Sequence, residues 1–208
     1  MRVTTEFLLI RHGETDMNRE QRFQGQIDVP LNVRGHLQAQ RLAERLLGEP
    51  LDAFYCSDLT RARQTASPAE AQLRVAATPL PALREQGFGI LEGLAFPEVV
   101  ARYPEEFEAW RRHDPDYALP GGESVRAFHA RVMDAVLDLA QRHAGQRLAL
   151  VTHGGVLDML WRTAQALPLH GPRACAIPNA GLNRIRVRGA RLEIVLWADD
   201  AHVAEIAA

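Results

Sequence analysis

The sequence predicts an α/β fold, a three-layer α/β/α arrangement around a mainly parallel central sheet. Two observations predict it. Short, wholly apolar runs, Phe7-Leu8-Leu9-Ile10 first among them, read as strands buried on both faces, as parallel sheets require. Segments with helical spacing separate these runs, so strand and helix alternate for most of the chain and the helices cover both faces of the sheet.

The elements follow in order. Phe7–Ile10 is a strand that stops at Arg11-His12-Gly13. Asn32 or Val33 through Leu47 is a helix, with Leu37, Leu42, Leu46 and Leu47 read as its apolar side and Gly48 at its end. Asp52–Cys56 is a second strand. Leu59 to about Leu73 is helical, with Pro68 expected to divide it into two pieces. Leu73–Ala77 is a weaker third strand. Residues 78–122 are rich in proline and glycine and read as irregular, with one short helix around Pro104–His113. Glu123–His143 is a strong helix carrying Val125, Phe128, Val132, Val136 and Leu139 at helical spacing. Arg147–Thr152 is a buried strand, followed by Gly154-Gly155 and a helix to about Ala166. Leu182–Val187 and Leu192–Trp197 form a hairpin around Arg188-Gly189-Ala190.

The length of 208 residues fits one domain, 1–208, in which residues 86–122 form a lid-like insertion. A net charge of -2 argues against a nucleic-acid binder but leaves room for a locally basic cleft. All 24 basic residues are arginine. The absence of lysine removes a Walker-type phosphate lysine and Schiff-base chemistry. Phosphate recognition therefore falls to arginine, histidine and backbone amides. Cys56 and Cys175 have no paired spacing, so neither a disulfide framework nor a zinc site is expected. No segment approaches the ~20 apolar residues of a membrane span, and no signal-peptide pattern precedes Phe7. The expectation is a soluble, cytoplasmic protein with no membrane or nucleic-acid partner.

Three segments place basic or nucleophilic groups just after a predicted strand: Arg11-His12-Gly13-Glu14-Thr15, Ser57-Asp58-Leu59-Thr60-Arg61-Ala62 and Val151-Thr152-His153-Gly154-Gly155. Ligands of parallel sheets bind beyond the carboxyl ends of the strands. A phosphate monoester needs its oxygens held by fixed positive groups, which Arg11, Arg61 and His153 supply. Glycines 13, 154 and 155 let backbone amides approach the anion, at the start of a helix. Neutral imidazole is a competent nucleophile, and two arginines beside His12 disfavour its protonated form. No cysteine fits Cys-x5-Arg, because four residues separate Cys56 from Arg61 and six separate it from Arg63. No His-x-His or His-Glu-x-x-His occurs either, so no metal ligand set and no cofactor is expected.

These residues resemble the signature of the histidine phosphatase, or phosphoglycerate mutase-like, superfamily. The likeness rests on Leu9-Ile10-Arg11-His12-Gly13-Glu14-Thr15, Asn18, Arg22-Phe23-Gln24-Gly25, Asp28–Leu31 with Gly35, and Ser57–Ala66. It continues through Leu83-Arg84-Glu85, Gly89–Gly93, Gly121-Gly122-Glu123-Ser124 and Val151–Gly155, spanning about residues 7 to 188. The resemblance implies a phosphoglycerate mutase-like fold and a metal-independent phosphatase. It implies His12 as the phosphorylated nucleophile, Arg11, Arg61 and His153 as phosphate ligands, and Glu85 as the acid that protonates the leaving oxygen and then activates water. It implies Asn18, Gln24, Gly25 and Gly154 as further substrate-binding residues. The charge argument does not locate the acid and leaves Glu14 open as a competitor.

Residues 86–122 offer Arg102, Arg111 and Arg112 against seven carboxylates, Glu92, Glu98, Glu105, Glu106, Glu108, Asp114 and Asp116. A mutase, which holds a doubly phosphorylated intermediate, wants more basic residues there, so hydrolysis of a small phosphorylated metabolite is the expected activity. Phosphoglycerate mutase-type transfer and a non-catalytic phosphate binder are the alternatives. Phe88, Phe96, Tyr103 and Trp110 are open to two readings, a substrate wall or core packing. Arg34, Arg41, Arg45 and Arg63 read as solvated, Trp161 and Trp197 as core, Cys175 as inert. His36, His113, His129, His143, His170 and His202 have no supporting context and are assigned no role. A homodimer rests on the base rate alone.

Overall fold

The computed structural model describes residues 3–207. One six-stranded sheet, in the order β3-β2-β4-β1-β5-β6, forms its centre. Strands β1 (Thr5–Arg11), β2 (Ala53–Cys56), β3 (Ala77–Pro79) and β4 (Arg147–Thr152) run parallel. The hairpin β5 (Leu182–Arg188) and β6 (Arg191–Asp199) joins antiparallel beside β1.

Successive strand residues point to opposite faces, so a strand apolar at every position must be covered twice. In β1, Phe7 and Leu9 face one core, which α6 (Val125–Arg142) and α7 (Gly154–Ala164) close with Phe128, Val132, Val136, Val156 and Leu160. Leu8 and Ile10 face the other, closed by α2 (Val33–Arg45) and α3 (Thr60–Leu73) with Leu42, Leu46, Ala62, Ala66 and Ala69. These four side chains, Phe7 to Ile10, are fully buried. Each contributes about 1.5–3 kcal/mol relative to exposure. A short helix, α1 (Asp16–Arg19), follows β1, capped by Thr15.

Four expectations need correction. In α2 the buried face is Gly35, Gln38, Ala39, Leu42 and Ala43, while Leu37 and Leu47 are exposed. Small residues let this helix lie close to α3, and Leu42 and Leu46 reach the core as expected while Leu37 and Leu47 point away from it. Helix α3 continues through Pro68, because Ala62 and Ala66 before it and Ala69 after it pack on the same core. It ends at Arg74, whose φ of 56° is left-handed, and the third strand therefore begins only at Ala77, not at Leu73. Finally, residues 86–122 are more regular than expected. They hold α4 (Phe96–Arg102) and α5 (Pro104–Arg111), and each carries its proline in the first turn, where a missing N–H costs little. Together with Phe23 this segment builds its own small core around Leu91, Val99 and Leu119.

Candidate active site

Strands β1 and β4 are parallel neighbours, with Arg11 opposite Thr152. The next residue on each is a histidine, so His12 and His153 emerge side by side, ring centroids 5.2 Å apart. Strand β2 lies on the far side of β4, and the first turn of α3 after it carries Arg61 between them. Arg61 is fully buried. It donates from Nε to His153 Nδ1 (3.3 Å), from Nη1 to the Ile27 carbonyl (2.8 Å) and from Nη2 to the Gly25 carbonyl (2.7 Å).

These contacts assign both tautomers. His12 Nδ1 lies 2.7 Å from the Gly13 carbonyl, which can only accept, so Nδ1 carries the hydrogen and Nε2 the lone pair. His153 Nδ1 accepts from Arg61, so its hydrogen is on Nε2. Burial first, then the charges of Arg61 and Arg11, hold the His12 pKa well below the usual range. Burial, Arg61 and His12 do the same for His153. Burial, with the nearby charge of Arg173 next, brings even Arg11 down to about 10. Arg11 Nη1 donates to the Ile177 carbonyl at 2.7 Å. Its Nε and the Nε2–H of His153 are buried without a partner among the described residues. An unanswered buried donor costs about 1–3 kcal/mol, and two beside one neutral imidazole describe a place built for an anion.

The neutral rings make stability depend on pH. Both histidines protonate on unfolding near the ordinary value of about 6.5 but stay neutral when folded. The unfolded chain thus binds more protons, and stability falls as pH drops below about 6.5, by about 1.4 kcal/mol per pH unit for each ring, until the folded-state value is reached. Urea unfolding of wild type and His12→Ala at pH 7.5, 6.5 and 5.5 should show a shallower acid loss in the variant, by one proton. Equal slopes would mean that His12 is already protonated in the folded protein.

Glu85 and Glu14 part company here. Glu85 reaches the site, its Oε2 accepting from the Gly155 amide and its Oε1 from the Gln86 amide, both at 2.9 Å. Arg131, paired with Glu123, donates to the backbone carbonyls of Ala82, Arg84 and Glu85 and so fixes the segment. A Cβ on Gly155 would lie 2.1 Å from Glu85 Oε1, so only glycine admits this carboxylate. Glu14 instead accepts from Asn32 Nδ2 (2.9 Å), pairs with Arg34 and does not line the cavity. The glycine amides differ from expectation. Gly13 N donates to Thr65 Oγ1 and Gly155 N to Glu85, so neither is free for an anion, whereas Gly154 lines the cavity.

That cavity, about 410 Å³, is lined by Arg11, His12, Asn18, Gln24, Gly25, Arg61, Glu85 and Gly154 among others. Asn18 Oδ1 accepts from the Thr15 amide and from Asn179 Nδ2, and Gln24 Oε1 accepts from Thr15 Oγ1. Phe88, Phe96 and Trp110 line the cavity as an apolar wall, and Phe88 and Trp110 also pack against the small core, as Tyr103 does without reaching the cavity. A second cavity of about 350 Å³ shares Glu85, Phe88, Trp110 and Arg173 with the first. Sequence reasoning missed Arg131, Arg173 and Asn179, because each stands alone in its segment without a neighbouring motif. Burial pushes the thiols of Cys56 and Cys175 up to about 11, opposite to what a nucleophilic thiolate needs. Among the described residues no three His, Cys, Asp or Glu side chains gather as a metal site would require, and no helix is long and apolar enough to cross a membrane.

Comparison with known proteins follows this geometry. A model of the histidine phosphatase superfamily (branch 1) matches residues 7–200. A metal-independent phosphoserine phosphatase of Arabidopsis thaliana is 38% identical over 97% of this chain and 84% of its own. Phosphoglycerate mutase-like protein 4 of the same plant is 35% identical over 96% of this chain and 87% of its own. Among solved structures, Bacillus stearothermophilus YhfR superposes with a TM-score of 0.88 at 31% identity, covering 96% of this chain and 99% of its own. A mycobacterial glucosyl-3-phosphoglycerate phosphatase superposes at 0.83 and 29% identity, covering 95% and 100%.

Proposed function

The chain belongs to the histidine phosphatase superfamily, and from that premise we propose that it hydrolyses the phosphomonoester of a small metabolite through a phosphohistidine at His12. The observation that carries this reading is the hydrogen bond from His12 Nδ1 to Gly13. It leaves the Nε2 lone pair of a buried, neutral ring beside the two unanswered donors of Arg11 and His153.

The steps follow from the residues. Arg11, Arg61 and His153 hold the non-bridging oxygens and meet their charge, with Asn18, Gln24, Gly25 and Gly154 shaping the remaining wall. His12 Nε2 attacks phosphorus as the bond to the ester oxygen breaks, and Glu85 gives that oxygen a proton. The alcohol leaves. Glu85, now a carboxylate, takes a proton from water as the water oxygen attacks phosphorus, breaking the P–N bond and restoring neutral His12. The charge of Arg61, fixed by two backbone carbonyls, needs no rearrangement in either step.

Hydrolysis is favoured over transfer to a second acceptor by the segment covering the site. Neither Arg102, Arg111 nor Arg112 lines the two cavities, and Arg111 is paired with Glu108. The test is phosphate release from an aryl phosphate in the presence of chelator, with rapid quench of the labelled enzyme. Chelator-resistant release together with an acid-labile, alkali-stable label on the wild-type protein is expected. Interconversion of phosphoglycerates that rises with 2,3-bisphosphoglycerate, without phosphate release, would make it a mutase. Binding of phosphate esters with no turnover would make it a binder.

A further inference from the structure

The phosphate-binding set leaves one cation at the site unexplained. Arg173 lies in the loop after α7, and its Nη2 and Nη1 come within 3.3 and 3.4 Å of the point where a Cβ on Gly154 would stand. Arg11 Nε reaches 3.5 Å from the same point. Two guanidinium groups thus converge over one glycine. Arg173 pairs with no carboxylate among the described residues. By contrast Arg22, which also lines the first cavity, is paired with Glu20 and Glu98.

The loop that carries Arg173 is held from below. Buried Arg162 donates to the carbonyls of Pro168, His170, Gly171 and Pro172, and to Asp158. One guanidinium thus fixes the backbone that leads directly into Arg173. The point from which the Arg173 side chain springs is therefore fixed at the edge of the site.

Its position selects the ligand. Arg11 and Arg61 line only the first cavity, where the phosphoryl group binds in the reading above. Arg173 and Glu85 line both cavities. If Glu85 protonates the ester oxygen, the alcohol extends past it, alongside Arg173, towards the second cavity. We propose that Arg173 is a specificity-determining residue that receives an anionic substituent of the leaving alcohol, and that the preferred substrates are phosphomonoesters of hydroxy acids. One guanidinium matches one planar carboxylate through two parallel hydrogen bonds. A second phosphate would call for more cations, and the other arginine lining the second cavity, Arg162, is already engaged by five acceptors.

This inference rests on the assignment of His12 and Glu85, and the experiment separates the two. A matched substrate pair, 3-phosphoglycerate and glycerol 1-phosphate, differs only in carboxylate against hydroxymethyl. The ratio of their kcat/KM values is measured for wild type, Arg173→Ala and Arg173→Lys, with an aryl phosphate as common reference. Wild type should prefer the carboxylate, and Arg173→Ala should erase about 10- to 100-fold of that preference, mainly through KM, as expected for a lost charge-assisted pair. Arg173→Lys, which keeps the charge but not the fork, should restore part of it. If neither member of the pair turns over, their inhibition constants against the aryl phosphate supply the same ratio. A wild type without preference, or an Arg173→Ala variant that loses both substrates equally, overturns the proposal, the latter by assigning Arg173 to the phosphoryl group. A wild type inert even towards the aryl phosphate instead overturns the catalytic reading on which it rests.

Discussion

Replacing His12 with alanine is expected to lower kcat for phosphomonoester hydrolysis by on the order of 10⁴-fold or more, since it removes the covalent route entirely and not one contribution to it. The anion site should survive. Arg61 is fixed by the Ile27 and Gly25 carbonyls, Arg11 by that of Ile177, and none of these bonds involves the His12 ring. Inhibition of the wild type by inorganic phosphate, and binding of phosphate to the variant by calorimetry, should therefore give dissociation constants within about tenfold of each other, one lost contact being worth about 1.4 kcal/mol or less. The quench experiment should trap no label on the variant. Turnover above about 1% of wild type in a preparation shown free of contaminating phosphatase would place the nucleophile elsewhere.

Replacing Glu85 with glutamine should cost about 10²- to 10⁴-fold in kcat for alkyl phosphates, the usual range for a general acid. The loss should depend on the leaving group. A nitrophenolate leaves without a proton, so the first step is spared with that ester, while the second step still lacks its base. The variant should then release a burst of nitrophenol equal to the enzyme present and stall as phosphohistidine. A uniform loss across leaving groups, with no burst, would show that Glu85 positions the site but transfers no proton. Glutamine also presents an NH₂ to one of the two backbone amides that Glu85 now accepts, from Gly155 and Gln86. The thermal midpoint should be measured alongside, so that a local rearrangement is not mistaken for lost chemistry.

The contrast between Glu85 and Glu14 shows where local pattern stops being informative. Glu14 is two residues from His12 and has the same side chain, yet it turns to Asn32 and Arg34. Glu85 is distant in sequence and reaches the site because Arg131 on α6 grips the carbonyls around it, and because Gly155 leaves space for its carboxylate. Neither cause is visible in the residues flanking Glu85. The leucines of α2 make a similar point about packing. Leu37 and Leu47 looked like core by residue type, but the buried face of the helix combines Leu42 with the small side chains Gly35, Ala39 and Ala43, which let α3 come close.

What the sequence by itself determined is the layered α/β architecture and the chemical character of the site. Runs such as Phe7–Ile10, apolar at every position, demand cover on both faces, and a strand that ends in a charged or nucleophilic group must expose it at the sheet edge. Those requirements act within a few residues, so they are legible without a structure. Only the tertiary structure decided that β4 lies beside β1, and hence that His153 meets His12. It alone decided that the Gly13 and Gly155 amides serve Thr65 and Glu85, and that Arg173 lines both cavities with no carboxylate partner among the described residues. These are contacts between segments far apart in the chain. They follow from which buried faces fit together across the whole core, and no local periodicity encodes that.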